Sequence, residues 1–243
     1  MTDPAALPPS PSAPRTARER ARAELTAEIK DAARRQLADH GAEALSLRAV
    51  ARELGMVSSA LYRYFPSRDD LLTALIVDAY DAVGTAAESA EAAVRRPDLM
   101  GRWLALTGAT RRWAVDHPHE WALIFGSPVP GYRAPDDTID PAARIPMLLL
   151  ALGREALTQE GTTAADPAPL RLARSTRSEL ARLRTGSGFD LPDHHLLRGI
   201  AAWTSLVGSI SFELFGHLNN VIDDHEAFFT VQMRAVGLDL GLA

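Results

Sequence analysis

Cysteine is absent from the 243 residues, which excludes disulfides, thiolate zinc sites and thiol nucleophiles. Lysine is nearly absent as well: Lys30 stands alone, and arginine carries the rest of the positive charge. No apolar run approaches bilayer length. The longest, Ile145 to Leu152, is far short of the ~20 residues a spanning helix needs. The opening stretch, MTDPAALPPSPSAP, lacks a basic start followed by an apolar core. It does not read as a signal peptide, so a cytoplasmic address is the expectation. There is no GxSxG, no P-loop and no GxGxxG. His117 and His119, with Glu120, lie at a helix break, and His194 and His195 are adjacent. Neither pair has the i, i+4 spacing that sets two imidazoles on one helical face around a metal. The chain therefore reads as a non-enzyme without cofactor or metal.

What is present is an ordinary globular composition, 47% hydrophobic and 23% charged, with a net charge of −5. The charge is unevenly placed: residues 1–70 hold 11 basic and 10 acidic side chains, and the remainder holds 15 and 21. A mildly acidic body on a near-neutral head suits a small DNA-contact patch and not the coating of nucleic acid. Residues 1–14, rich in Pro, Ala and Ser, are expected to be disordered. Arg15, Arg18, Arg20 and Arg22 then enter the first helix. They read either as a basic arm along phosphates or a minor groove, or as a solvated helix start offset by Glu19 and Glu24. This helix runs to about Asp39 on a stripe of Leu25, Ile29, Ala33 and Leu37, and Gly41 ends it.

The stretch from Ser46 to Leu72, SLRAVARELGMVSSALYRYFPSRDDLL, organises the chain. Ser46 is a good N-cap for a short helix with Val50, Ala51 and Leu54 at helical spacing. Gly55 supplies the turn and Leu61 points a second short helix inward. Pro66 then breaks the run, and Ser67 with Asp70 makes a capping box for the next helix. Two short helices around a glycine turn, the second bearing hydroxyls, aromatics and a guanidinium, form the pattern of a DNA-reading helix-turn-helix.

Residues 20–72 resemble the DNA-binding domain of the TetR family of bacterial transcriptional regulators. The match is carried by Gly41, Ser46-Leu47-Arg48, Val50-Ala51, Leu54-Gly55, Leu61-Tyr62, Tyr64-Phe65, Ser67-Arg68 and Leu71-Leu72. Residue by residue, the resemblance implies that Ser58, Ser59 and Ala60 face the groove floor, joined by Arg63. It implies that Ser46, Tyr62, Tyr64 and Arg68 meet phosphates, with Arg48 on a guanine edge or a phosphate. The Tyr62 ring is expected to pack beside Leu61, leaving its hydroxyl for DNA. One position departs: the family has Ser or Thr two residues after the turn glycine, and this chain has Val57. The cap of the reading helix is therefore expected at Ser58.

The whole chain reads as all-α. The expected division is a tail over 1–14, the helix-turn-helix domain over 15–66, a linking helix over 67–96, and an effector-binding and dimerisation domain over 97–243. By resemblance the linking helix, with Gly84, is a lever. Further helices are expected over 100–116, 120–125, 141–160, 170–184, 192–216 and from Asp223 or Asp224 to 236, with a Pro-rich loop over 126–140. Phe228, Val231, Ala235 and Leu238 stripe the last helix. Gly199, Gly208 and Gly216 suggest close helix–helix approach, inside one chain or across a homodimer of the last two helices. The resemblance implies the second. HPHEWALIFGSPVPGY and AAWTSLVGSISFELFGHL resemble a TetR C-terminal type marked by Trp-His-Gly. Trp203 and Gly208 fit it, and Val207 occupies the His position. Such a body implies an apolar cavity. Trp113, Trp121, Phe125, Met147, Leu148 and Trp203 are its candidate lining, and residues 127–140 its lid. The implied function is a homodimeric repressor on a double-stranded DNA operator, released by a small apolar or amphipathic effector, with no membrane partner. A ligand-binding protein, an activator or a co-repressed regulator on the same fold is the alternative.

Overall fold

The computed structural model describes residues 16–158 and 171–242. The expected disorder of 1–14 lies outside these residues. Every regular element among the described residues is helical. The helices are α1 (Ala17–His40), α2 (Leu47–Glu53), α3 (Ser58–Leu61), α4 (Arg68–Ala92), α5 (Leu99–Asp116), α6 (Pro118–Phe125), α7 (Ile139–Thr158), α8 (Arg174–Ser187), α9 (Asp193–Leu214) and α10 (His225–Asp239). The chain separates into two compact units between Leu72 and Thr73, inside α4.

The first unit is a small helical head. Thr16 accepts from the Glu19 amide at 3.1 Å while Glu19 accepts from the Thr16 amide at 2.9 Å, a reciprocal cap that opens α1. Ile29, Ala32, Ala33 and Leu37 of α1 bury against Leu47, Val50, Ala51, Leu61 and Phe65. At Gly55 (φ +66°) the chain turns left-handed. The Gly55 amide reaches the Arg52 carbonyl and the Met56 amide the Ala51 carbonyl at 2.8 Å, so the end of α2 is closed by a paired Schellman turn.

The second unit has one main core, in which Trp103, Leu106, Trp113, Trp121, Ile145, Leu149, Leu206, Ile210, Phe229 and Met233 converge. A smaller cluster of Leu150, Leu180, Leu191 and Leu196 seats α8. The Trp103 indole donates to the Met233 carbonyl at 2.6 Å. A Cβ at Gly237 would stand 2.8 Å from that indole ring, so α10 approaches α5 where only glycine fits.

Three arginine clamps tie the helices together. Arg102 of α5, 1% exposed, forks onto Glu91 of α4 and Glu155 of α7. Arg111 of α5 holds Glu213 of α9 at 2.7 and 2.8 Å. Arg144 of α7 lies over bare Gly84 of α4 and bonds the Asp81 carbonyl, Thr85 Oγ1 and both Glu88 oxygens.

Several expectations need correction. The loop expected over 126–140 ends early: a 3-10 turn at Asp136–Thr138 leads into α7, which begins at Ile139. Pro141 is tolerated there because first-turn amides have no helical partner. The helix expected over 170–184 is α8, Arg174–Ser187. Gly199, Gly208 and Gly216 do not mark close approaches within the chain. A Cβ at Gly208 would meet nothing within 4 Å, and Gly216 sits past α9 at φ +78°. On α10, Phe228, Val231 and Leu238 face outward, and Phe229, Met233 and Gly237 are the buried set.

Candidate nucleic-acid interface and body cleft

The head brings the candidate reading residues together on two short helices. Arg48 sits in the first turn of α2, exposed. α3 contains only Ser58, Ser59, Ala60 and Leu61. Leu61 is wholly buried and pins the helix, Ser59 is exposed, and Ser58 and Ala60 are half-buried. The chain continues through a turn carrying Tyr62, Arg63 and Tyr64, closed by the Tyr64 and Phe65 amides on the Leu61 carbonyl.

Cap geometry differs from the sequence reading. Ser46 occupies the N-cap of α2, but its side chain makes no cap hydrogen bond. Val57, not Ser58, is the N-cap of α3: its extended backbone (φ −71°, ψ 136°) presents the carbonyl that accepts from Ala60, and its side chain has nothing to donate to or accept from the helix. Ser58 is the first helical residue. Ser67 does cap α4, accepting from the Asp70 amide at 3.1 Å, and its hydroxyl donates to Asp70 Oδ2 at 2.7 Å.

Two cations beside the reading element, Arg68 and Arg22, are engaged within the head. Arg68 donates from Nε to the Leu45 carbonyl at 3.1 Å and from one terminal nitrogen to the carbonyls of Ala42 (2.8 Å) and Glu43 (3.3 Å). Its other terminal nitrogen pairs with Asp69 at 3.5 Å. Arg22 donates to the Arg63 carbonyl at 3.4 Å and lies over the Tyr64 ring, 5.2 Å from its centroid. Tyr62 is 43% exposed, and Tyr64 is half-buried under Arg22.

In the body, the six candidate lining residues are divided between two apolar clusters. Trp121 is fully buried, its indole donating to Ser211 Oγ at 3.1 Å and its ring 4.5 Å from that of Phe125. Trp113 stacks on His117 at 5.0 Å. These three, with Leu148 and Trp203, pack into the main core, whereas Met147 packs on the smaller cluster. Burial also raises the Tyr80 phenol pKa, and its hydroxyl donates to the Ile124 carbonyl. A cleft of about 560 Å³ is lined by Glu88, Ile139, Ala143, Arg144, Met147 and Leu148, among others. Arg144 was not evident as a candidate from sequence. Tyr132, in the Pro-rich loop, is tied down by its hydroxyl to Thr73 Oγ1 at 2.9 Å.

A second, shallower hollow of about 290 Å³ is lined by Gly208, Ser209, Phe212, Phe228 and Gln232 on α9 and α10. Around it, Phe212, Phe215, Val231 and Leu238 are exposed, Val231 to 69%. Among the described residues no three His, Asp or Glu converge as metal ligands, and no helix is long and apolar enough to cross a membrane.

Known proteins share both units. Residues 29–75 match the family described as bacterial regulatory proteins, tetR family, and residues 103–236 match the tetracyclin repressor-like C-terminal domain. The HTH-type transcriptional regulators Mb1846 of Mycobacterium bovis and Rv1816 of Mycobacterium tuberculosis are each 40% identical over 221 residues, covering 88% of this chain and 91% of theirs. The crystal structure of protein SCO4313 superimposes with a TM-score of 0.74 at 36% identity, covering 91% of this chain and 98% of that one. A protein from Rhodococcus sp. RHA1 shares the fold at 20% identity, with a TM-score of 0.62 over 89% of this chain and 93% of its own. With a helix-turn-helix head, an all-helical body and relatives of this kind along nearly its whole length, the chain belongs to the TetR family of DNA-binding transcriptional regulators.

Proposed function

We propose that the protein is a homodimeric repressor that leaves its operator when a small apolar or amphipathic molecule enters the body. The observation that carries the dimer is the two-faced α10. One apolar side, Phe229 and Met233, is spent on the core, and the other, Phe228, Val231 and Leu238, is exposed, with Phe228 sharing a hollow with Phe212 of α9. A helix apolar on both sides is a buried helix. The open space over Gly208 leaves room for a second backbone to come close. Two-fold pairing would supply the second head that half-sites about 34–36 Å apart require.

Within each head, Arg48 and Arg63 are the base-discriminating cations, Ser58, Ser59 and Ala60 face the groove, and Ser46, Tyr62 and Tyr64 touch phosphate. The effector site is the cleft between α4 and α7. Ile139, Ala143, Met147 and Leu148 give it an apolar wall and Arg144 and Glu88 a charged rim. The same Arg144 holds α4, so a ligand that draws it away biases the position of that helix. The domain roles follow: head to Leu72, α4 as the link, and the rest for effector and partner.

The test is sedimentation of wild type and Phe212→Asp/Val231→Asp at micromolar concentration, with a gel shift on the protein's own upstream DNA. A dimer that the double variant dissociates, with loss of the shifted band, is expected. A wild-type monomer that still shifts the DNA would overturn the proposal.

A further inference from the structure

We infer that Arg68 and Arg22 are positioning residues of the DNA-reading element, holding its two ends from outside through backbone carbonyls, and are not phosphate contacts. The inference rests on α3 being the reading helix.

The element needs outside support. α2 has seven residues and α3 four, and neither begins with a side-chain cap. Helices this short do not persist alone, so the segments that enter and leave them need holding from elsewhere in the head. The turn entering α2 exposes the carbonyls of Ala42, Glu43 and Leu45, and Arg68 takes all three from the first position of α4. A planar guanidinium presents five donors in a fixed fork, which matches several carbonyls at once. With Asp69 on its remaining terminal nitrogen, Arg68 has each of its three nitrogens occupied within the head.

At the other end, the Arg63 carbonyl follows α3 and receives a bond from Arg22 of α1. The same guanidinium covers Tyr64, and Tyr64 lies one residue before the buried Phe65. Position 22 continues the stripe of Leu25, Ile29, Ala33 and Leu37 beyond the core, where α1 passes the end of α3. Cations at both ends of the element thus act on its shape. Of the arginines assigned to DNA by resemblance, Arg48 and Arg63 remain as DNA contacts.

The measurement is affinity for an operator selected in vitro from random duplexes, and for a scrambled duplex, by fluorescence anisotropy across a KCl series. The proteins are wild type, R22A, R68A, R68K, Y64L and R22A/Y64L, each checked by circular dichroism. For R22A the expected result is a roughly five- to tenfold loss on the operator. Affinity for the scrambled duplex and the slope of log K against log salt should stay unchanged. Adding R22A to Y64L should cost less than R22A costs in wild type, because only the Arg63 carbonyl bond remains to be lost. R68K should bind no better than R68A, because one ammonium cannot span three carbonyls. A phosphate contact behaves otherwise: both duplexes weaken together, the slope falls by about one, and R68K recovers binding. That pattern, or an unchanged R22A, overturns the inference. Because R22A alters only the exposed surface of α1, it stays decisive even if R68A unfolds the head. If no duplex is selected at all, the fault lies with the reading-helix assignment and not with these two arginines.

Discussion

Replacing Arg102 by Met tests what holds the body together. The guanidinium is 1% exposed and donates to Glu91 at 2.6 Å, to Glu155 at 2.5 and 3.1 Å, and to the Arg96 carbonyl at 3.1 Å. Methionine fills part of the volume but leaves the Glu91 carboxylate, itself 6% exposed, with only Arg96 at 3.2 Å. Removing one partner of a buried pair costs about 3–5 kcal/mol, because the other charge stays desolvated. For a chain of this size each kcal/mol moves the midpoint by about 2–4 °C, so R102M should unfold roughly 6–20 °C below wild type. Replacing both partners by apolar residues removes the stranded charge, so R102M/E91L should recover most of the loss. Thermal and urea unfolding at one fixed protein concentration provide the assay, so that the proposed self-association weighs equally on every variant. A loss of less than about 1 kcal/mol in R102M, or additive losses in the double variant, would refute this account of a desolvated pair.

Further perturbations have defined signs. Val57→Ser places a hydroxyl at the N-cap of α3 and should raise stability by about 1 kcal/mol, read as a higher thermal midpoint. Gly84→Ala gains about 1 kcal/mol of helix propensity but sets a Cβ 2.8 Å from Arg144 Nε. The midpoint should therefore barely move, while Arg144→Ala should cost less in that background than in wild type. The Glu155 carboxyl is held below its usual pKa, chiefly by the Arg102 hydrogen bond. A depressed carboxylate contributes stability above its unfolded pKa and loses it as pH falls through the folded value. The midpoint of wild type should drop more steeply below about pH 4.5 than that of Glu155→Gln, in a thermal scan across acid pH.

The head was legible because its signals are local. Gly55, Ser67 and Asp70, and the apolar spacing of Val50, Ala51 and Leu61, act within a few residues of one another and needed no tertiary context. The cap of α3 was misread because a serine at 58 looks like a cap, whereas the backbone bends one residue earlier, at Val57. The clamps of Arg102, Arg111 and Arg144 were not legible. Their carboxylates lie 53, 102 and 56 residues away, and an arginine on an alanine-rich helix looks solvated until its partner is placed. Aromatic composition alone does not separate core from cavity wall: Trp113, Trp121, Phe125 and Trp203 pack in or against the main core, and Met147 and Leu148 also line the cleft. Periodicity found an apolar stripe on α10, but two stripes run along it. Only the fold tells that Phe229 and Met233 turn inward while Phe228 and Val231 turn out.

The brevity of α3 has a consequence for how recognition changes over time. Of its four residues, Leu61 belongs to the interior, so on the reading proposed above α3 itself offers three side chains to the groove, beside Arg48 and Arg63. Two are serines, whose hydroxyls pair with either base and so spell weakly. On that reading the sharp discrimination falls to the two arginines, and base changes opposite residues 58–60 should each cost little, with stiffness of the intervening DNA as an added vote. None of residues 58–60 belongs to the buried core, so the address can be rewritten without disturbing the fold that delivers it.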